Sequence, residues 1–134
     1  MALGKQLGEY SFKQTSNTVV VTGSKLNFHG TATGFGTVQG TLTIKADEPG
    51  APGGICSWEA VGFLEDGKWV SGTGEGTWET VGQHKWRIRL YHSTSNGQTF
   101  LSDGELELAT LSFQGMITKV DDDEKKGKVA GAIG

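Results

Sequence analysis

Thr31-Ala32-Thr33-Gly34-Phe35-Gly36-Thr37-Val38-Gln39 returns forty residues later as Ser71-Gly72-Thr73-Gly74-Glu75-Gly76-Thr77-Trp78-Glu79. In both stretches the even positions are small or apolar, and the odd positions are mostly hydroxylated or charged. A period of two is the mark of a strand with one dry face. The glycines inside it permit sharp bending and close approach of neighbouring backbone. Self-similarity at a fixed spacing predicts one supersecondary unit used twice. The alternation continues to Ala46, so that Ala32, Gly34, Gly36, Val38, Gly40, Leu42, Ile44 and Ala46 share one face. Extended, the stretch Thr31–Ala46 would reach roughly 50 Å, far beyond an ordinary strand, so it must bend or break at its glycines.

The flanking sequence repeats the pattern. A first strand is expected at Tyr10–Thr15 and a β-branched one at Asn17–Thr22, with Gly23-Ser24 as a turn and Leu26, Phe28 and Gly30 alternating after it. Asp47–Gly54 holds both prolines and reads as a long loop. Cys56, Trp58, Ala60, Gly62 and Leu64 then share a face, and Asp66-Gly67 signals a hairpin. Beyond a turn at Gly82-Gln83, His84, Trp86, Ile88, Leu90 and His92 alternate with Lys85, Arg87, Arg89 and Tyr91. Asn96-Gly97 marks another hairpin leading into Gln98–Ser102, Glu105–Leu108 alternates again, and Leu111–Val120 is the last strand. No segment carries a 3.6-residue apolar period. The chain therefore reads as all-β: a single-domain antiparallel β-barrel of about eight strands, closed because no helix is left over to cover a sheet edge. Residues 1–8 read as a flexible lead-in, 9–120 as the barrel, and 121–134, with its run Asp121-Asp122-Asp123-Glu124-Lys125-Lys126, as a charged, solvated tail.

Composition removes several function classes. The chain has 134 residues, 22 of them glycine but only 2 proline, which suits bent strands better than disorder. A net charge of −3 without a basic cluster argues against nucleic acid or an anionic membrane as partner. One cysteine, Cys56, permits no internal disulfide and fits a reducing, cytoplasmic setting, as does the lack of an apolar signal segment near Met1.

Few residues suggest chemistry. Thr-Gly-x-Gly-Thr is not a phosphate loop, because strand alternation runs through it on both sides. His84 and His92 lie eight residues apart on one strand face, about 26 Å when extended, so they cannot hold one metal together. No metal site and no cofactor are expected, and no catalytic residue can be named. Cys56 reads as an inert buried thiol. Lys85, Arg87 and Arg89 are expected to pair with Glu75 and Glu79 across a hairpin on the outer face. Phe35, Val61, Phe63, Trp69 and Val81 share the outward parity and suggest contact between copies in a homo-oligomer. The candidate ligand-binding residues are those of the inner face: Trp58, Trp78, His84, Trp86 and His92, with Gln98. Two arrangements satisfy that face. The tryptophans fill the space its glycines vacate, giving a structural or protein-interaction barrel, or they line a cavity for a small apolar ligand.

Through Thr33-Gly34-Phe35-Gly36-Thr37 and Thr73-Gly74-Glu75-Gly76-Thr77 the chain resembles the allene oxide cyclase-like and dirigent-like small barrels. The resemblance spans most of Asn17–Val120 and lies in pattern. It implies an apolar pocket that steers a small hydrophobic molecule, isomerising or cyclising it, in a symmetric oligomer. No catalytic position of those families can be matched to a residue here. Lipocalin-like barrels are the rival resemblance, but no Gly-x-Trp stands near the N-terminus.

Overall fold

The computed structural model describes residues 3–120. Eight strands follow one another: β1 (Leu3–Val20), β2 (Gly23–Ala32), β3 (Gly36–Lys45), β4 (Gly53–Phe63), β5 (Trp69–Gly82), β6 (Lys85–Thr94), β7 (Thr99–Glu107) and β8 (Ser112–Val120). Each pairs antiparallel with the next, and β1 pairs with β8 to close the barrel; no helix occurs among the described residues. The all-β barrel read from the alternation is the fold found.

Beside the first hairpin, whose turn falls at Val21-Thr22 with Gly23 and Ser24 already in β2, three boundary differences matter. The two early strands are one, bulged between Gln14 and Ser16, and strand pairing reaches back to Leu3, into the segment read as a lead-in. Likewise the segments read at Gln98–Ser102 and Glu105–Leu108 merge into a single β7, which leaves out Gln98 and Leu108, because alternation carries through Gly104. The third difference concerns the opening motif. The first Gly/Thr stretch breaks into a turn at residues 33–35, with Gly34 and Gly36 at φ 84° and 70°, whereas the second lies wholly inside β5. Left-handed φ is open to glycine at little cost, so two glycines flanking one residue turn the chain there. The copies are alike in sequence but not in conformation. Residues 121–134, read as a charged tail, lie outside the described residues.

The turns at 33–35, 64–68 and 95–98 gather at one end of the barrel, hereafter the Phe35 end. The turns between β1 and β2, β3 and β4, β5 and β6, and β7 and β8 gather at the other, the Trp78 end. Between them Phe28, Leu42, Ile88, Phe113 and Ile117 are the most deeply buried side chains. Bulky rings fit inside so narrow a barrel because glycines lie under them. A Cβ at Gly40 would run into the Trp58 ring; one at Gly30 or Gly54 would strike first the carbonyl of Ser11 or Lys45, with the Phe12 ring and the Trp78 indole nitrogen each 2.8 Å away. The Trp78 N–H is satisfied by donating to the Lys45 carbonyl at 2.7 Å.

On the outer face the ion pairs lean mainly to the strand after β6. Arg87 forks onto Asp103 of β7 at 2.8 and 2.6 Å, and Lys85 meets Glu107 at 3.2 Å. Towards β5 only the looser Arg89–Glu79 contact, at 3.8 Å, appears. The hydrogen bonds from Arg87 hold Asp103 below the usual carboxylate range. These are solvent-exposed pairs, so each contributes little to stability.

The ring-over-glycine packing has a direct test. Gly40→Ala should lower stability by about 1–3 kcal/mol through overpacking against Trp58. Gly82→Ala, whose new methyl would meet Lys85 at an ordinary 3.8 Å, should change it by less than about 0.5 kcal/mol. Urea midpoints of the two variants give the comparison, and equal losses would discount the packing.

Candidate functional site

The six residues singled out by their inner-face position divide between the two ends. Trp58 and His92 come together on the wall of one cavity in the Phe35 half of the barrel. Trp78 is buried at the opposite end, where the half-buried Trp86 joins it. His84 and Gln98 do not reach the interior. His84 is exposed in the turn between β5 and β6 with φ 56°, and Gln98 is exposed just before β7. The turn falls at Gln83-His84 rather than at Gly82-Gln83, which removes His84 from the strand and its alternation.

The cavity has a volume of about 70 Å³. Its base is a cluster of rings: Phe12 stacks on Trp58 at 5.5 Å, and Phe113 meets Trp58 edge-on at 5.9 Å. Aliphatic walls come from Val38, Val70, Leu90 and Ile117, and no Asp, Glu, Lys or Arg is among the lining residues. The space exists because small residues face one another without a ring laid over them. Ala60 pairs with Gly72 across β4 and β5, and a Cβ at Gly72 would find a carbonyl and a methyl group, at 3.3 and 3.4 Å, as its nearest neighbours.

Phe35 closes the outer end of the cavity. Odd parity assigned it to the outer surface, but the turn rotates it inward, and it is buried with its ring 5.2 Å from Phe100. Thr33, at the stem of the turn, is fastened to β1: its N–H donates to the Glu9 carbonyl at 3.0 Å and its hydroxyl accepts from the Glu9 N–H at 3.1 Å. Phe35 is itself tied into the turn, its N–H donating to the Ala32 carbonyl at 3.0 Å between the two left-handed glycines.

The polar part of the wall is Ser71 and Thr94, both half-buried, and a buried pair, His92 and Ser102. His92 lies flat on Phe100, centroids 4.4 Å apart and planes 12° from parallel, and its Nε2 shares a hydrogen bond of 2.7 Å with the Ser102 hydroxyl. Gly74 makes room for the imidazole, since a Cβ there would lie 2.7 Å from Nδ1. Both residues are buried, and burial pushes the His92 pKa down to about 4, so the ring is neutral at pH 7. Ser102 was not singled out from the sequence, although it shares inward parity with Phe100, Gly104 and Leu106 once β7 is read as one strand. Tyr10 adds its ring to the lining, while its hydroxyl packs against Gly104 without a hydrogen-bond partner and burial raises its pKa. Cys56 is buried elsewhere in the core, its thiol pushed up to about 11, which suits the inert role expected of it. No group of three or more potential metal ligands occurs among the described residues, and no helix among them is long and apolar enough to cross a membrane.

Neutral His92 makes stability depend on acid. Its pKa falls from 6.5 to about 4 on folding, so the unfolded chain binds the extra proton between those values. Stability is full above pH 6.5 and should fall by about 1.4 kcal/mol per pH unit down to about pH 4, roughly 3 kcal/mol in all. Urea unfolding of His92→Phe across this range should show a flatter acid limb than the parent, and an unchanged slope would refute the assignment.

Compared with known proteins, the chain matches no family model, no curated protein and no solved structure.

Proposed function

We propose that this barrel binds a small, uncharged, largely apolar molecule in the cavity beneath Phe35. The observation that carries the reading is the void itself: at the Phe35 end a space with an uncharged, mostly apolar lining is left between the rings of Phe12, Trp58 and Phe113 and the Phe35 turn. Charged ligands are disfavoured because nothing in that lining would neutralise them. A dry cavity of about 150 Å³ can hold benzene. The closed cavity is about half that size, so a ring-sized ligand requires Phe35 to withdraw. An apolar pocket is also what the resemblance to the cyclase-like and dirigent-like barrels implies. Isomerisation or cyclisation of the ligand would fall to His92 and Ser102, the buried polar pair on the wall.

Xenon, an apolar atom small enough for the closed cavity, is the direct probe. Under xenon pressure the methyl resonances of Val38, Val70, Leu90 and Ile117 should shift, while those of Leu26 and Leu106, towards the Trp78 end, stay in place. Phe35→Ala should strengthen the response to benzene, which the parent admits only when Phe35 withdraws. Uniform shifts, or none, would end the binding reading.

A second reading, of an interaction barrel, has its own observation. Phe63 and Trp69 face each other across β4 and β5 on the outer surface and remain 46 % and 66 % exposed. An aromatic pair left in water at the rim of a sheet is suited to contact between copies. Sedimentation should show self-association at high micromolar concentration that Trp69→Lys abolishes; a monomer at every concentration excludes it.

A further inference from the structure

We propose that the molecule held beneath Phe35 is a neutral alcohol or ketone, its one oxygen received by Ser102 in partnership with His92. This rests on the binding reading above and adds the chemistry of recognition. Ser102 is buried, lines the cavity and has spent only part of its hydrogen-bonding capacity. A serine hydroxyl offers one donor and two acceptor positions, and the bond to His92 uses one of them.

The neutral imidazole makes the pair reversible in direction. When Nε2 carries the proton it donates to the serine oxygen, and the Ser102 O–H is free to donate to a carbonyl. When Nδ1 carries it, the Ser102 O–H donates to Nε2, and the serine lone pairs are free to accept from an alcohol. Either way the ligand exchanges a single hydrogen bond and no charge is buried. A protonated His92 would offer only the first arrangement and would place an unpaired cation in an apolar wall. Stacking on Phe100 and seating over Gly74 hold the imidazole in place, so the polar point of the cavity is fixed before a ligand arrives. Phe100 also touches Phe35, which puts the polar pair one ring away from the closing residue.

Cyclopentane, cyclopentanol and cyclopentanone share one carbon ring and differ in the oxygen. Their affinities, from methyl chemical-shift titrations, should be compared in the parent protein, Ser102→Ala and Ser102→Cys. The cysteine variant keeps the shape of the wall but replaces the hydroxyl with a weak thiol, and it covers the case in which Ser102→Ala does not fold. Both substitutions should weaken the alcohol and the ketone by about tenfold and leave cyclopentane within about twofold. Cyclopentanecarboxylate should not bind to any of them. A uniform effect on all three probes, or tight binding of the carboxylate, would overturn the recognition proposal while leaving the binding reading intact. If none of the three binds the parent protein, the binding reading itself falls, and this inference with it.

Discussion

A closed cylinder of eight strands has too little room for the rings this sequence puts inside it. The constraint is met in part by setting rings against glycines on neighbouring strands: Trp58 against Gly40 and His92 against Gly74, with Phe12 close to Gly30 and Trp78 close to Gly54. Each glycine gives up its own side-chain contacts so that a ring can lie against the wall. Where small residues face one another without a ring between them, as Ala60 and Gly72 do, the wall is thin and the cavity lies beside it.

Much of this was legible in the sequence, because a period of two translates directly into two faces. The inward set of β3, from Val38 through Leu42, and that of β4, with Cys56 and Trp58, follow from parity alone. Parity failed where the backbone left the strand. Phe35 sits between two left-handed glycines, and His84 stands at positive φ in a turn; each ended up on the side opposite to the one its odd or even number implied. The repeated Gly/Thr motif misled for the same reason, since similar residues form a turn in one place and uninterrupted strand in the other. Glycine permits both conformations, and only the surrounding pairing selects between them.

The candidate site was half legible. Trp58 and His92 were visible as inward residues, but their separation from Trp78 and Trp86 depends on which end of the barrel each strand reaches. Ser102 gave a weak signal, a hydroxyl at an inward position among apolar neighbours. Its pairing with His92 required the register of β6 with β7, where His92 lies opposite Phe100 and Leu90 opposite Ser102. No local pattern encodes that offset. The same register decides the outer face, where Asp103 comes within reach of both Arg87 and Arg89.

The long first strand has a consequence for how the molecule is made. β1 pairs with β2 over Tyr10–Val20 and with β8 over Leu3–Lys13, so Tyr10, Ser11, Phe12 and Lys13 are bonded on both sides. On the ribosome the β2 side can zip up early, but the β8 side must wait for the most distant strand of the fold to emerge. Until then the nascent sheet has two open edges, and Phe12, Trp58 and Phe113 cannot yet assemble into their cluster. Contacts between such remote strands slow folding and prolong exposure to other chains. The pairing of β1 with β8 is therefore the step that both seals the sheet and completes the base of the cavity, so a chain arrested before Phe113 would have neither.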